Sequence, residues 1–257
     1  MSETMFSLKG KVAVITGASR GIGRAIALTF GEAGADVVVS SRNKRPPELE
    51  KLAEEICAKG RRALAIPAHV GKKEDVQNLV QKTLQEFGRI DILVNNAGAN
   101  PVLSSMVDLE EAALEKVLEV NLKGALLMSQ IVAKHMIKQG GGRIINLGSI
   151  SGLRARADGT GAYCIGKAAV HMMTQVMARE LAEHNILVNA IAPGSIKTEL
   201  SRVNWQDPER RAQRIREIEL KRFGEPEEVS GLALFLASEA GSFVTGEIIR
   251  VDGGQTI

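Results

Sequence analysis

The sequence predicts an α/β fold of the doubly wound kind, a seven-stranded parallel sheet with helices on both faces. Three observations carry that reading. Short runs rich in β-branched and apolar residues recur along the chain without polar alternation, as strands buried on both faces do. Stretches of helical length separate most of them. The first run ends in a glycine-rich turn that opens a helix.

Taken in order, strands are read at residues 12–16, 36–40, 62–67, 91–95, 143–147, 187–192 and 247–251. Helices are read at 21–33, 47–59, 73–87, 109–138 with a break near Asn121, and 162–184. Crossovers between parallel strands are right-handed and lay each helix on the sheet. No Pro/Ser-rich linker divides the chain and no repeat recurs, so residues 1–257 are read as one domain. The least regular stretch, 195–223, contains Trp205 and a charged run, DPERRAQRIREIELKR. Its polarity suits a solvated helix and loop. Its place after the sixth strand's C-terminal end, where open α/β sheets bind ligands, suits a lid over a substrate.

Composition narrows the function classes. Across 257 residues, 33 Lys and Arg against 30 Asp and Glu leave a net charge of +3, too small to define a nucleic-acid binder. Hydrophobic residues at 44% and charged ones at 25% are those of an ordinary globular chain with a sizeable core. Two cysteines and four scattered histidines supply neither a disulfide framework nor metal-ligand spacing, so no metal site is expected. No apolar run reaches the length of a membrane span, and no leader or terminal address is read, so a soluble, cytoplasmic protein is expected.

The turn Thr16-Gly17-Ala18-Ser19-Arg20-Gly21-Ile22-Gly23 joins the first strand to its helix. Glycines let backbone amides approach a pyrophosphate, and the helix N-terminus adds partial positive charge. Dinucleotide binding through Gly17, Ser19, Arg20, Gly21, Ile22 and Gly23 is expected. Tight strand–helix packing would also call for the glycines. After the second strand, NAD-binding folds place an acid for the ribose 2′-hydroxyl. Here the chain reads Ser40-Ser41-Arg42-Asn43-Lys44-Arg45. Ser41 and Arg42, with Arg20 beside them, suit the 2′-phosphate of NADP(H). A merely solvated basic loop is the other reading.

Tyr163, the single tyrosine, lies four residues before Lys167 in a predicted helix, which puts phenol and ammonium on one face. A free phenol titrates at about 10. A cation about 5 Å away contributes roughly 3 kcal/mol at an effective dielectric of ~20, so Lys167 is expected to lower the Tyr163 pKa. Such a phenol is fit for acid/base work.

Ser149 follows the fifth strand, Asn95-Asn96-Ala97-Gly98 ends the fourth, and Asn121 lies in the next helical region. With the glycine turn and the Tyr/Lys pair, this set resembles the classical short-chain dehydrogenase/reductase family over nearly the whole chain. The resemblance implies a Rossmann fold and hydride transfer between nicotinamide and a carbonyl or alcohol carbon. It implies that Tyr163 exchanges the proton, Ser149 hydrogen-bonds the substrate oxygen, Lys167 binds the nicotinamide ribose, and Asn121 holds a relay water. It places Asn95, Ala97 and Gly98 by the adenine side, and Pro193, Gly194, Ile196 and Thr198 around the nicotinamide. It also implies a homotetramer paired through the Tyr-bearing helix, the helix before it and the last strand, although Met172, Met173, Val176 and Met177 read simply as core.

Three features depart from the family pattern. His69-Val70 stands after the third strand where Asp-Val is usual; either the two residues line the cofactor site with a different adenine packing, or His69 is a lone surface residue, the preferred reading. Ser149 and Tyr163 are 14 apart, about one more than usual, which implies an insertion in 153–161 and leaves Ser151 as a fallback for the serine. Cys164 follows the tyrosine where a small residue is common; it reads as a small hydrophobe or a reactive thiol. SSRN after the second strand, AHVGK after the third and the 197–205 stretch look most like carbonyl reductases of the dehydrogenase/reductase member 4 type. The activity implied is NADP(H)-dependent reduction of a ketone or oxidation of a secondary alcohol. A 3-oxoacyl-acyl-carrier-protein reductase is the alternative, with Arg154, Arg156, Arg202, Arg210 and Arg211 as a docking patch, and a catalytically idle NADP-binding regulator is the alternative of a different class.

Overall fold

The computed structural model describes residues 5–42, 47–100, 103–155 and 158–257. The loop calls at Asn43, Lys44, Arg45 and Pro46, and Arg156 of the docking patch, lie outside them. Seven strands, β1 (Val12–Thr16), β2 (Asp36–Ser41), β3 (Ala63–Pro67), β4 (Ile92–Asn95), β5 (Gly142–Leu147), β6 (Ile186–Pro193) and β7 (Ile248–Val251), form one sheet. Every pairing is parallel, in the order β3-β2-β1-β4-β5-β6-β7. This is the expected Rossmann-type, doubly wound arrangement.

The unbroken apolar runs serve two cores. Alternate residues Ala13, Ile15, Val37, Val39 and Ile145 face α1 (Gly21–Glu32), α2 (Pro47–Cys57) and α9 (Pro226–Ala237). Their neighbours Val14, Val38, Leu93, Ile144 and Val188 face α3 (Lys73–Phe87), α5 (Gly124–Gln139) and α6 (Gly161–Leu181). A strand covered on both sides has no position to spare for polar alternation.

Sequence periodicity misses α9. Its stretch, PEEVSGLALFLA, has too few polar residues to show a period, yet its start is well marked: Pro226 stands in the first turn, and Glu225 and Glu228 form a reciprocal capping box. The break near Asn121 has a definite form. After α4 (Glu111–Leu118) the chain makes a π-helical turn, Glu119–Lys123, before α5. Within 195–223 the chain forms α7 (Arg202–Gln206) and α8 (Pro208–Glu217), the latter capped by Asp207, whose Oδ1 accepts the Arg210 amide at 2.8 Å. The methionine cluster divides. Met177 is buried and Met173 packs on the second core, but Met172 and Val176 are exposed, so the reading of the whole cluster as core fails.

The sheet order reverses between β1 and β4, which opens a crevice at their C-terminal ends. Thr16 and Asn96 stitch that point together. Thr16 Oγ1 donates to Val94 O at 3.3 Å and accepts the amides of Asn96 and Ala97, each at 3.1 Å. Asn96 Nδ2 donates to the carbonyls of Thr16 and Gly17 at 2.9 and 3.0 Å. The glycine turn and the end of β4 are thereby fixed to each other before any ligand arrives.

Candidate active site

A cavity of about 510 Å³ runs along the C-terminal ends of the strands. At one end it is walled by Gly17, Ser19, Arg20, Gly21 and Ile22 of the turn, by Ser41 and Arg42 after β2, and by His69 and Val70 after β3. Ala97 and Gly98 line its middle. At the other end stand Ser149, Tyr163, Lys167, Pro193, Gly194, Ile196 and Thr198.

The glycines of the turn do different work. Gly17 has φ +64°, and a Cβ there would lie 2.8 Å from Ala97 Cα, so it is needed both for backbone conformation and for close approach to β4. Gly21, at φ +56°, faces the cavity, where a Cβ would meet only the Thr198 side chain at 3.3 Å. Gly23 does not line the cavity. A Cβ there would strike Asn96 Nδ2 at 2.4 Å and Gly17 O at 2.6 Å, so its role is to let helix, turn and strand pack.

The end of β2 is polar and lacks an acid. Ser41 Oγ is buried without a hydrogen-bond partner, Arg42 and Arg20 are exposed, and among the described residues neither arginine has an ion-pair partner. An orphaned hydroxyl on the same cavity wall as two exposed arginines is a fit for phosphate oxygens. His69 corrects the expectation of a surface residue. It is half-buried, lines the cavity, and its Nδ1 accepts the Gly71 amide at 3.1 Å while its own amide donates to Asp75 Oδ2 at 2.8 Å.

At the other end, α6 carries Tyr163 and Lys167 on one face and the Gly148–Gly152 segment brings Ser149 opposite them. Ser149 Oγ accepts the Ser151 amide at 3.1 Å and is hydrogen-bonded to Tyr163. Ser151 itself does not reach the cavity, so the fallback serine stands behind the first choice. Lys167 Nζ donates to Leu147 O at 2.5 Å and lies 5.6 Å from the Tyr163 ring centroid.

The electrostatics differ from the expectation. Burial pushes the Tyr163 phenol up to about 12, opposed by the Ser149 hydrogen bond, and burial pushes the Lys167 ammonium down to about 8. The lysine is aimed at a carbonyl rather than at the phenol oxygen, so desolvation governs the phenol. The expected lowering of the Tyr163 pKa is not found; burial raises it instead.

Asn95 and Asn121 stand behind the wall. Asn95 Nδ2 donates to Ser129 Oγ and Asn146 Oδ1 at 2.9 and 2.8 Å, a network inside the sheet and not an adenine contact. Asn121, on the π-turn, accepts the Ala99 amide at 2.7 Å and donates to Ala99 O at 3.0 Å, so both ends of its amide hold the loop after β4. Cys164 is half-buried, 3.7 Å from Thr160 Oγ1. Sequence reasoning missed Ala68, Ala99, Asn100, Lys116 and Val120, and Glu199, Leu200 and Ser201 from the start of the candidate lid, all on the cavity wall. Ala68 stands in the AHVGK run and 199–201 in the 197–205 stretch, which the sequence reading uses only as family likeness; Ala99, Asn100, Lys116 and Val120 belong to no motif, and adjacency to the end of the fourth strand could have raised only the first two.

Among the described residues no group of His, Cys, Asp and Glu could hold a metal ion, and no helix is long and apolar enough to cross a membrane.

Comparison with known proteins agrees with the geometry. A family model described as enoyl-(acyl carrier protein) reductase matches residues 17–256. The rabbit (Oryctolagus cuniculus) dehydrogenase/reductase SDR family member 4 is 39% identical over 96% of this chain and 94% of its own length. An NAD-dependent glycerol dehydrogenase of Listeria innocua is 42% identical over 98% of this chain and 96% of its own. A crystal structure of a gluconate 5-dehydrogenase from Burkholderia cenocepacia, in complex with NADP and tartrate, superposes with a TM-score of 0.94 at 35% identity, covering 100% of this chain and 99% of that one. With its sheet order, its cleft at the switch point and these likenesses over nearly its full length, the chain belongs to the short-chain dehydrogenase/reductase family of oxidoreductases.

Proposed function

We propose that the protein is an NADP(H)-dependent carbonyl reductase, interconverting a ketone and a secondary alcohol, built as one domain with 195–223 as its substrate lid. The observation that carries the reading is the single cavity that Ser149, Tyr163 and Lys167 share with the glycine turn and the Ser41–Arg42 corner.

The turn residues would hold a pyrophosphate, Ser41, Arg42 and Arg20 a 2′-phosphate, His69 and Val70 the adenine side, and Pro193, Gly194, Ile196 and Thr198 the nicotinamide side. When bound, the nicotinamide gives or takes the hydride. The chain's own residues manage the proton. Tyr163, protonated at neutral pH, donates from its phenol oxygen to the substrate oxygen as that oxygen gains charge. Ser149, whose oxygen already accepts the Ser151 amide, keeps its proton free for the substrate oxygen or the Tyr163 phenolate. Lys167 supplies positive charge beside the ring while its carbonyl bond to Leu147 fixes its direction. Asn121 fixes the loop after β4 through Ala99, and a relay water on its backbone completes the reading.

The choice of NADP(H) rests on the end of β2, because one relative is named as NAD-dependent and one structural neighbour holds NADP. Copies are proposed to pair as a homotetramer, with exposed Ile165, Met172 and Val176 on α6 covered between subunits. A cytoplasmic setting belongs to the same reading, in keeping with free Cys57 and Cys164.

A 3-oxoacyl-acyl-carrier-protein reductase would need a basic docking patch. Arg154, Arg210 and Arg211 are exposed, but Arg202 is engaged by Gln206 and Glu199 at 2.7 and 3.3 Å. A substrate panel tests both readings with NADPH: small diketones and aromatic ketones should turn over faster than sugars and acetoacetyl thioesters. Preference for the thioesters would install the alternative, and no turnover of any ketone would leave a non-catalytic NADP-binding regulator.

A further inference from the structure

Helix α6 carries a third polar side chain in the register of Tyr163 and Lys167. His171 follows Lys167 by four residues on the same face, and the residue is 5% exposed. Its ring lies beneath the Gly148–Gly152 segment that bears Ser149. Two glycines make room for it. A Cβ on Gly148 would stand 2.1 Å from His171 Nε2, and one on Gly152 would stand 2.8 Å from Cε1. Neither glycine has a left-handed φ, so backbone conformation does not call for glycine at either place; the ring does, together with the close approach of Gly152 to the Lys167 backbone.

The Ser149 amide donates to His171 Nε2 at 3.4 Å. That bond requires an unprotonated Nε2 and puts the ring proton on Nδ1. Among the described residues Nδ1 has no partner at full hydrogen-bond geometry, and the Gly152 backbone beside the ring is the one influence that favours its protonation. Burial and the neighbouring Lys167 charge hold the ring neutral, pushing its pKa down to about 4. An apolar residue of similar volume would fill the space but would leave the Ser149 amide buried without this acceptor.

We infer that His171 is a positioning residue for Ser149: Nε2 takes the serine's amide from beneath and so sets the hydroxyl against Tyr163. Its kinetic consequence rests on the carbonyl-reductase reading, whereas the ring's protonation state does not.

The test has two arms. Imidazole nitrogen and proton NMR of the full-length protein without cofactor should show His171 neutral at neutral pH with its proton on Nδ1. With NADPH and a small diketone, His171→Leu should lower kcat about tenfold, the effect of one misplaced hydrogen bond, at unchanged NADPH affinity. His171→Gln, whose side-chain carbonyl reaches the place of Nε2, should recover most of the loss. A proton on Nε2, wild-type kcat in the Leu variant, or equal impairment of the Leu and Gln variants would overturn the inference. Should the Leu variant fail to fold, the Gln variant and the tautomer decide. Absence of ketone turnover by the unmodified protein would sink the proposed function instead, and the tautomer alone would then decide the role of His171.

Discussion

Tyr163 and Lys167 show how burial can reverse a charge argument. Spacing puts both on one face of α6, but which oxygen the ammonium meets depends on the end of β5, which spacing does not reveal. With the phenol at about 12 and the ammonium at about 8, protonated tyrosine and charged lysine coexist at neutral pH. The ratio kcat/KM reports groups of the free enzyme, so for carbonyl reduction it should be flat through neutral pH and fall as pH rises through about 8, where Lys167 loses its proton. A pH–rate series without that basic limb would contradict the assignment. At the other end of the cleft, Ser41 and Arg42 should favour NADPH by roughly ten- to a hundredfold, the worth of a charge-assisted phosphate contact of about 1.5–3 kcal/mol. Ser41→Asp with Arg42→Ala should reverse the preference, measured as kcat/KM for the two cofactors; equal or better use of NADH by the unmodified protein would reject this reading. Residue types at strand ends are legible in sequence because polarity there is unusual. The duties of Asn95, Asn121 and His171 are not, because each depends on partners 22 to 51 residues away.

Elements bring these residues together. The π-turn at Glu119–Lys123 turns Asn121 toward Ala99, and sequence reading found the break but could not tell a π-turn from a kink. Helix α8 is tied to the loop before α6: Arg214 Nη2 meets Asp158 Oδ2 at 2.8 Å, while its Nη1 meets Glu217 Oε2 of the same helix at 3.4 Å. Trp205 Nε1 donates to Thr198 O at 2.9 Å, which anchors α7 to the cavity wall. Arg214→Ala should loosen the lid and raise KM for the carbonyl substrate about fivefold, corresponding to about 1 kcal/mol for a partly buried pair, with NADPH affinity unchanged. Steady-state kinetics showing an unaltered KM would remove the lid role from α8. The polarity of 195–223 is readable as solvated helix; its tie to Asp158 is not, because Arg214 meets that carboxylate from 56 residues away.

At the scale of the whole molecule, strand periodicity, crossover handedness and the glycine turn were enough to foresee a doubly wound sheet, since a strand buried on both faces has few sequences open to it. Helix α9 escapes because it is apolar on nearly every side, and Met172 and Val176 on α6 read as core because apolar residues at helical spacing look alike in sequence whether the chain buries them or leaves them exposed. The sheet sets the glycine turn after β1, Ser41 and Arg42 at the end of β2 and Ser149 after β5, with Tyr163 and Lys167 brought in by α6, so one fold joins the two ends of the cleft. The central claim is that Tyr163 gives the proton. It is the single tyrosine in the chain, and its replacement by phenylalanine removes one oxygen and little else. Stopped-flow measurement of Tyr163→Phe with NADPH and a small diketone tests this most directly: the account predicts unchanged NADPH binding and a fall in the reduction rate of at least ~10², whereas a variant that binds NADPH and reduces the diketone at the unmodified rate would contradict it.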